Sequence, residues 1–286
     1  MSVTTELESK RERALEILRG SLVRGGKLAV AFSGGVDSTL LLKLAATALP
    51  ADSVLAVTAR SESLPQDELE ACRRLARTIG VRLIELRTNE LARPGYVENS
   101  GQRCYHCKSE LFDTLDRELK AREEIEAVAY GLTADDLGEF RPGMKAAFEH
   151  KVLRPLADSG LGKQEIRALS RDYGLETWDK PAMACLASRI PYGSPVTAEK
   201  LSQVERAEML LRSLGFRELR VRHHDETARI ELSAEEISRA AANPVRDRIA
   251  QGLRALGFKF ITLDLEGFRS GRMNETLGEP RRLPVT

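Results

Sequence analysis

The sequence predicts an α/β protein: a parallel sheet wrapped by helices, followed by a smaller α+β domain. Two observations carry that expectation. Short apolar strands alternate with amphipathic helical stretches through the first two-thirds of the chain, the pattern of a parallel sheet covered on both faces. After Pro195 the pattern changes to a helix, two neighbouring strand-like runs, two helices and a last strand. The division is therefore expected between residues 1–194 and 195–286. At 286 residues the chain can bury one large core or two modest ones.

Leu7, Ala14, Leu15 and Leu18 sit among charges and predict an amphipathic helix that ends at Gly20. The run from Leu28 to Phe32 reads as a buried strand, and Thr39 to Ala45 as a helix. Between them stands Ser33-Gly34-Gly35-Val36-Asp37-Ser38. Two adjacent glycines let backbone approach a ligand with no Cβ in the way. The amides that follow are helix-terminal donors, and the helix dipole favours an anion there. Ser33 and Ser38 add hydroxyl donors, and Asp37 can hold the Mg²⁺ that travels with a polyphosphate. The lysine and the longer glycine spacing of the common phosphate-binding motifs are both missing.

Ser53 to Thr58 is a second strand, Gln66 to Ile79 a helix closed by Gly80, and Val81 to Leu86 a third strand. Ligands of such sheets sit beyond the C-terminal strand ends, which places Thr58 and Ser61 beside the glycine loop. Strand ends of this kind serve packing equally well. Residues 88–103 lack periodicity and read as an active-site loop, after which Cys104 to Leu119 is helical. Ala127 to Tyr130 is a fourth strand with Gly131 at its end; Asp135 and Asp136 follow, as Mg²⁺ ligands or as plain turn carboxylates. Gly138 to Lys145 is expected to be a long loop before a strand near Val152 and Leu153, with Arg141 and Lys145 free to hold substrate anions. Gly162 to Tyr173 is a helix, and Trp178 to Gly193 a second irregular segment. In the last part, Glu218 to His223 and Ala228 to Leu232 are strand-like runs, and alternation in the first puts Arg220 and Arg222 on one face, suited to a nucleotide phosphate or to salt bridges on a sheet surface.

The 44 basic and 43 acidic residues nearly cancel, which argues against a nucleic-acid surface. No apolar run reaches membrane-spanning length and the N-terminus has no signal core, so a cytoplasmic protein is expected. Four cysteines are then not expected to form structural disulfides. Cys72 shares a helix face with Leu69, Leu75 and Ala76 and reads as core. Cys104 and Cys107 form a C-x-x-C at a loop-to-helix junction, and Cys185 lies in the second irregular segment. Three thiolates can hold three irons of a [4Fe–4S] cluster and leave the fourth open. Zinc with His106, or no metal and a nucleophilic Cys185 activated by Lys180 and Arg189, are the competing readings.

The S-G-G-V-D-S loop resembles the pyrophosphate loop of the ATP pyrophosphatases. Together with Arg141-Pro142-Gly143, Ser188-Arg189-Ile190-Pro191-Tyr192-Gly193, Arg220-Val221-Arg222, Ala228-Arg229-Ile230-Glu231 and Gly267 to Asn274, it makes the chain similar to the LarE-type ATP-dependent sulfur transferases of nickel-pincer nucleotide synthesis. That resemblance implies a PP-loop fold and a reaction in which ATP adenylylates a carboxylate of pyridinium-3,5-dicarboxylic acid mononucleotide before sulfur replaces the adenylate. It implies ATP on Ser33, Gly34, Gly35, Val36, Asp37, Ser38, Thr58, Ser61 and Gly131; substrate on Arg141, Arg220 and Arg222; and Cys185, Asp37, Ser188 and Arg189 in the chemistry. It also implies a homo-oligomer, with hexamers known in the family, and leaves the sulfur donor open. In members that sacrifice a cysteine, that residue lies five before the arginine of the S-R segment; here the position is Ala184, with Cys185 next. The C-x-x-C with a distant cysteine instead resembles cluster-dependent relatives, so a [4Fe–4S] cluster on Cys104, Cys107 and Cys185 is expected. A tRNA thiolase, an ammonia-dependent amide synthetase and a non-enzymatic iron–sulfur nucleotide sensor are the alternatives.

Overall fold

The computed structural model describes residues 3–138, 142–181 and 184–269. Its elements run α1 (Val3–Arg19), β1 (Lys27–Ala31), α2 (Val36–Ala48), β2 (Val54–Arg60), α3 (Gln66–Ile79), β3 (Arg82–Arg87), α4 (Pro94–Val97), α5 (Arg103–Glu118), β4 (Ile125–Tyr130), α6 (Pro142–Glu149), α7 (Pro155–Asp158) and α8 (Lys163–Asp172). Then come α9 (Ala198–Ser213), β5 (Leu219–His224), β6 (Thr227–Leu232), α10 (Ala234–Ala241), α11 (Val245–Ala255) and β7 (Phe260–Leu263). The described residues form two units, one of 3–90, 104–138 and 142–181, the other of 91–103 and 184–269. Residues 91–103 and 184–194 thus go with the C-terminal unit.

In the first unit four parallel strands lie in the order β3-β2-β1-β4. β1 is buried along almost its whole length, which is why it reads as a continuous apolar run. Its pleat divides the core. Leu28, Val30 and Phe32 pack with Leu15 and Leu18 of α1, Leu40, Leu41 and Leu44 of α2, and Ile166 and Leu169 of α8. Ala29 and Ala31 pack with Leu111, Phe112 and Leu115 of α5 and Ala146 and Ala147 of α6. Each fully buried leucine of these layers contributes about 1.5–3 kcal/mol.

The order of the strands also fixes the site. From β1 the chain steps to β2 and β3 on one side, and β4 adds on the other, so the turn after β1 lies at the switch point of the sheet.

Two expectations need correction. The segment after Arg141 is helical from Pro142, not a loop; proline at a first helical position costs no hydrogen bond, and Ala146 and Ala147 are buried. The strand near Val152 and Leu153 is a single bridge, Leu153 to Ala129.

In the second unit β5 and β6 form an antiparallel hairpin, and β7 joins β6 in parallel. Val221, Ile230 and Leu232 pack with Ala207 and Leu211 of α9, Ile249 and Leu253 of α11, and Phe216 and Phe258. The irregular segment 184–194 is held by Asn99, which is fully buried with a left-handed φ of 54°. Its amide donates to the carbonyls of Ile190, Pro191 and Ser194 at 3.2, 2.8 and 2.8 Å. Arg103 donates to Asn99 Oδ1 and to the Ala187 carbonyl. Among the described residues, no helix is long and apolar enough to cross a membrane.

Candidate active site

The glycine loop joins β1 to α2 as the sequence leads one to expect. Gly34 adopts φ 69° and Gly35 is the N-cap of α2, with no side chain capping the helix. Ser33 Oγ lies 3.2 Å from Ser38 Oγ, and Ser38 Oγ accepts the Ser33 amide at 3.3 Å. Ser38 is buried, whereas Ser33 is exposed and Gly35, Val36 and Asp37 are partly exposed. The exposed Ser33 hydroxyl and the partly exposed Asp37, one of whose carboxylate oxygens is buried, flank the first turn of α2, residue types that fit a polyphosphate and its cation. Gly131 closes the far side of the crevice. A Cβ there would stand 3.1–3.2 Å from the backbone of Asp37 and Ser38, so its role is close packing on the first turn of α2.

Thr58 does not offer its hydroxyl to a ligand. It is buried and donates to the Phe32 carbonyl at 2.8 Å, tying β2 to the base of the loop. Ser61 Oγ lies 3.0 Å from Ser63 Oγ. Cys72 is fully buried, as expected of a core residue, and burial pushes its pKa up to about 11. Asp135 caps α8, accepting the Lys163 amide at 2.6 Å, and Asp136 accepts the Thr133 amide at 3.0 Å, which favours the turn reading for both.

Cys104 is exposed and Cys107 partly exposed, one turn apart at the start of α5. The Cys107 thiol stands 3.9 Å from Oε1 of Glu90, a buried carboxyl whose pKa is raised by burial. Two accessible thiols at this spacing fit metal or cluster ligation in their chemistry. Among the described residues, however, no three His, Cys, Asp or Glu side chains are grouped as a metal site.

In the second unit Cys185 is partly exposed and precedes a short 3₁₀ turn, Leu186–Arg189. Ser188 Oγ donates to the Cys185 carbonyl at 2.7 Å. Arg189, expected to position a reaction intermediate, is only 2% exposed. Its Nε and one terminal nitrogen pair with Glu208 at 2.8 and 3.0 Å, and the other nitrogen donates to the Ala184 and Cys185 carbonyls at 2.6 and 2.9 Å. It shapes the backbone carrying Cys185 and has no free face for substrate. Burial works to raise the Glu208 pKa, but the Arg189 charge outweighs it and the carboxyl stays ionised with a lowered pKa. The Lys180 ammonium pairs with Glu68 at 2.7 Å.

Arg220 and Arg222 part company as well. Arg222 is buried in a two-pronged pair with Glu231 at 3.0 and 2.8 Å and donates to the Ser188 carbonyl, so it is not free for a ligand. Arg220 lies half-buried beside the Phe268 ring at 4.8 Å, and its hydrogen bond goes to a carbonyl, not a carboxylate. Burial, with the neighbouring Arg189 charge, lowers its pKa to about 10. That guanidinium suits an anion. Arg141 and residues 270–274 lie outside the described residues. Asn99, Glu208 and Glu68 carry no local sequence signal; each is found only through its distant partner.

A glycine turn of this kind at the switch point of a β3-β2-β1-β4 sheet defines a PP-loop nucleotide-using enzyme. A family model described as asparagine synthase matches residues 12–96. The chain is 44% identical over 271 residues to an uncharacterised protein of Synechocystis sp., covering 95% of this chain and 99% of that one. It is 39% identical over 251 residues to the pyridinium-3,5-bisthiocarboxylic acid mononucleotide synthase of Lactiplantibacillus plantarum, covering 88% of this chain and 90% of that one. An uncharacterised protein of Methanocaldococcus jannaschii is 27% identical over 244 residues. The chain belongs to the LarE-type family of ATP-dependent sulfur transferases.

Proposed function

We propose that this chain adenylylates a carboxylate of pyridinium-3,5-dicarboxylic acid mononucleotide and replaces the adenylate with sulfur, giving a thiocarboxylate, in a homo-oligomer in the cytoplasm. The reading is supported chiefly by near full-length similarity to a synthase named for the bisthiocarboxylic acid mononucleotide. A substrate carboxylate oxygen attacks the α-phosphorus of ATP, the bond to the pyrophosphate oxygen breaks, and pyrophosphate is held by Ser33, the amides of Gly35 to Ser38, and the Ser38 side of the turn. Asp37 would hold Mg²⁺, whose charge would offset that of the leaving group. Amides already aimed at that charge stabilise it without reorganising. Arg220 takes the phosphate of the mononucleotide. Sulfur then adds to the acyl carbon and AMP leaves. Ser188 and Arg189 keep the Cys185 backbone in place.

Cys104, Cys107 and Cys185 are the proposed ligands of a [4Fe–4S] cluster, which when bound supplies an open iron where sulfide can be carried and renewed. The competing route sacrifices the Cys185 sulfur.

Turnover of ATP with the dicarboxylic substrate tests the first half. Asp37→Ala should abolish AMP and pyrophosphate formation, and near-normal turnover in that variant would remove the site. Anaerobic purification tests the second. Brown protein with iron and sulfide, lost in each of Cys104→Ala, Cys107→Ala and Cys185→Ala and kept in Cys72→Ala, supports the cluster. A loss of about 34 Da confined to Cys185 after turnover, the mass of H₂S, with Cys104→Ala fully active, overturns it.

A further inference from the structure

Lys180 belongs to none of the loop's own residues, yet its side chain ends on the loop. Its ammonium donates to the Gly34 carbonyl at 3.2 Å and to Glu68 Oε2 at 2.7 Å. Both side chains are about three-quarters buried, at 24% and 22% exposure. The backbone behind it is pinned as well. Arg167 donates to the Trp178 and Lys180 carbonyls at 2.7 and 2.9 Å, the Lys180 amide donates to Thr177, and Arg171 stacks on the Trp178 ring at 4.0 Å.

We propose that Lys180, held by Glu68, is a positioning residue that sets the Gly34–Gly35 peptide of the loop, so that the Gly35 amide faces the pyrophosphate of ATP. The planar trans peptide points its carbonyl and its N–H in opposite directions. A carbonyl fixed on the ammonium therefore aims the Gly35 N–H the other way. Two successive glycines have the most backbone freedom to lose, so an external tether lowers the cost of ordering the turn when ligand binds. Gly34 is held from beneath too, where a Cβ would meet Cys72 Sγ at 3.0 Å. Because Glu68 balances the ammonium, Lys180 acts through orientation and not through net charge.

This inference rests on the reading of the loop as the pyrophosphate site, and the experiment separates the two. Magnesium pyrophosphate and AMP are titrated calorimetrically into the full chain, and KM for ATP and kcat are measured alongside. Lys180→Met should weaken pyrophosphate binding about tenfold, the value of a hydrogen bond to a charged group, and raise KM for ATP with AMP affinity unchanged. Lys180→Arg, which keeps a cationic donor, should recover most of the loss. Glu68→Gln should also weaken pyrophosphate, since it loosens the ammonium; tighter binding would show that Lys180 contacts phosphate directly and would overturn the positioning role. Equal pyrophosphate affinity in wild type and Lys180→Met overturns it too, as does a parallel loss of AMP and pyrophosphate. No pyrophosphate binding by the wild type would instead overturn the loop assignment itself.

Discussion

Gly34 shows how a single residue carries the site. Its φ of 69° lies in the region that costs a side chain about 1–2 kcal/mol, and a Cβ would press on the Cys72 sulfur below. Gly34→Ala should weaken ATP binding by about tenfold, measured by titration. Adding Cys72→Ala removes the contact but not the torsion, so the double variant should regain only part of the loss; full recovery would show that the torsion is harmless. The same scale separates Arg220 from Arg222. The two share a strand face, but Arg222 is spent on Glu231. Arg220→Ala should raise KM for the mononucleotide by about tenfold or more with ATP affinity unchanged, because each charge-assisted contact contributes about 1.5–3 kcal/mol.

At the scale of elements, the turn Leu186–Arg189 depends on α9. Glu208 is fully buried and serves Arg189 twice, the Val221 amide at 3.1 Å and Arg212 at 3.3 Å. Glu208→Ala strands the Arg189 guanidinium in the interior, and removing one partner of a buried pair costs about 3–5 kcal/mol. Urea unfolding should show that loss. A change under about 1 kcal/mol would mean that water reaches Arg189 in the variant. The variant should also lose sulfur transfer before it loses ATP binding, since the pair fixes the Cys185 carbonyl and does not touch the glycine loop.

For the molecule as a whole, His223 and its neighbour His224, both with pKa values lowered by burial, carry the pH dependence below neutrality, and His223 is the more buried. It is 4% exposed, and burial, aided by the Lys200 charge, lowers its pKa from the usual range. Its Nδ1 accepts the Asp225 amide, so the ring is neutral and Nε2 donates to Gln203 Oε1 at 2.8 Å. The unfolded chain takes up a proton near pH 6.5 while the folded ring resists it. Stability therefore falls as pH drops below about 6.5, by at most about 1.4 kcal/mol per unit until the folded ring also titrates. Comparing urea unfolding at pH 7.5 and 5.5 measures it; His223→Gln should flatten that part of the slope, and an unaltered slope would place the titration elsewhere.

What the sequence determined by itself was local. A buried strand, two glycines and a helix start are contiguous, so the loop, the parallel sheet and the two strand-like runs of the C-terminal part were legible from periodicity and turn chemistry. So was the core position of Cys72. The helix from Pro142 was masked because Arg-Pro-Gly reads as a turn, and only burial of Ala146 and Ala147 reveals the other outcome. Tertiary structure decided which polar side chains remain available. Thr58 answers to Phe32 26 residues away, Lys180 to Gly34 146 away, and Arg189 to Glu208 19 away. A buried hydroxyl or guanidinium must find a partner, and the partner is chosen by which elements the fold brings together, a choice that spacing along the chain does not encode.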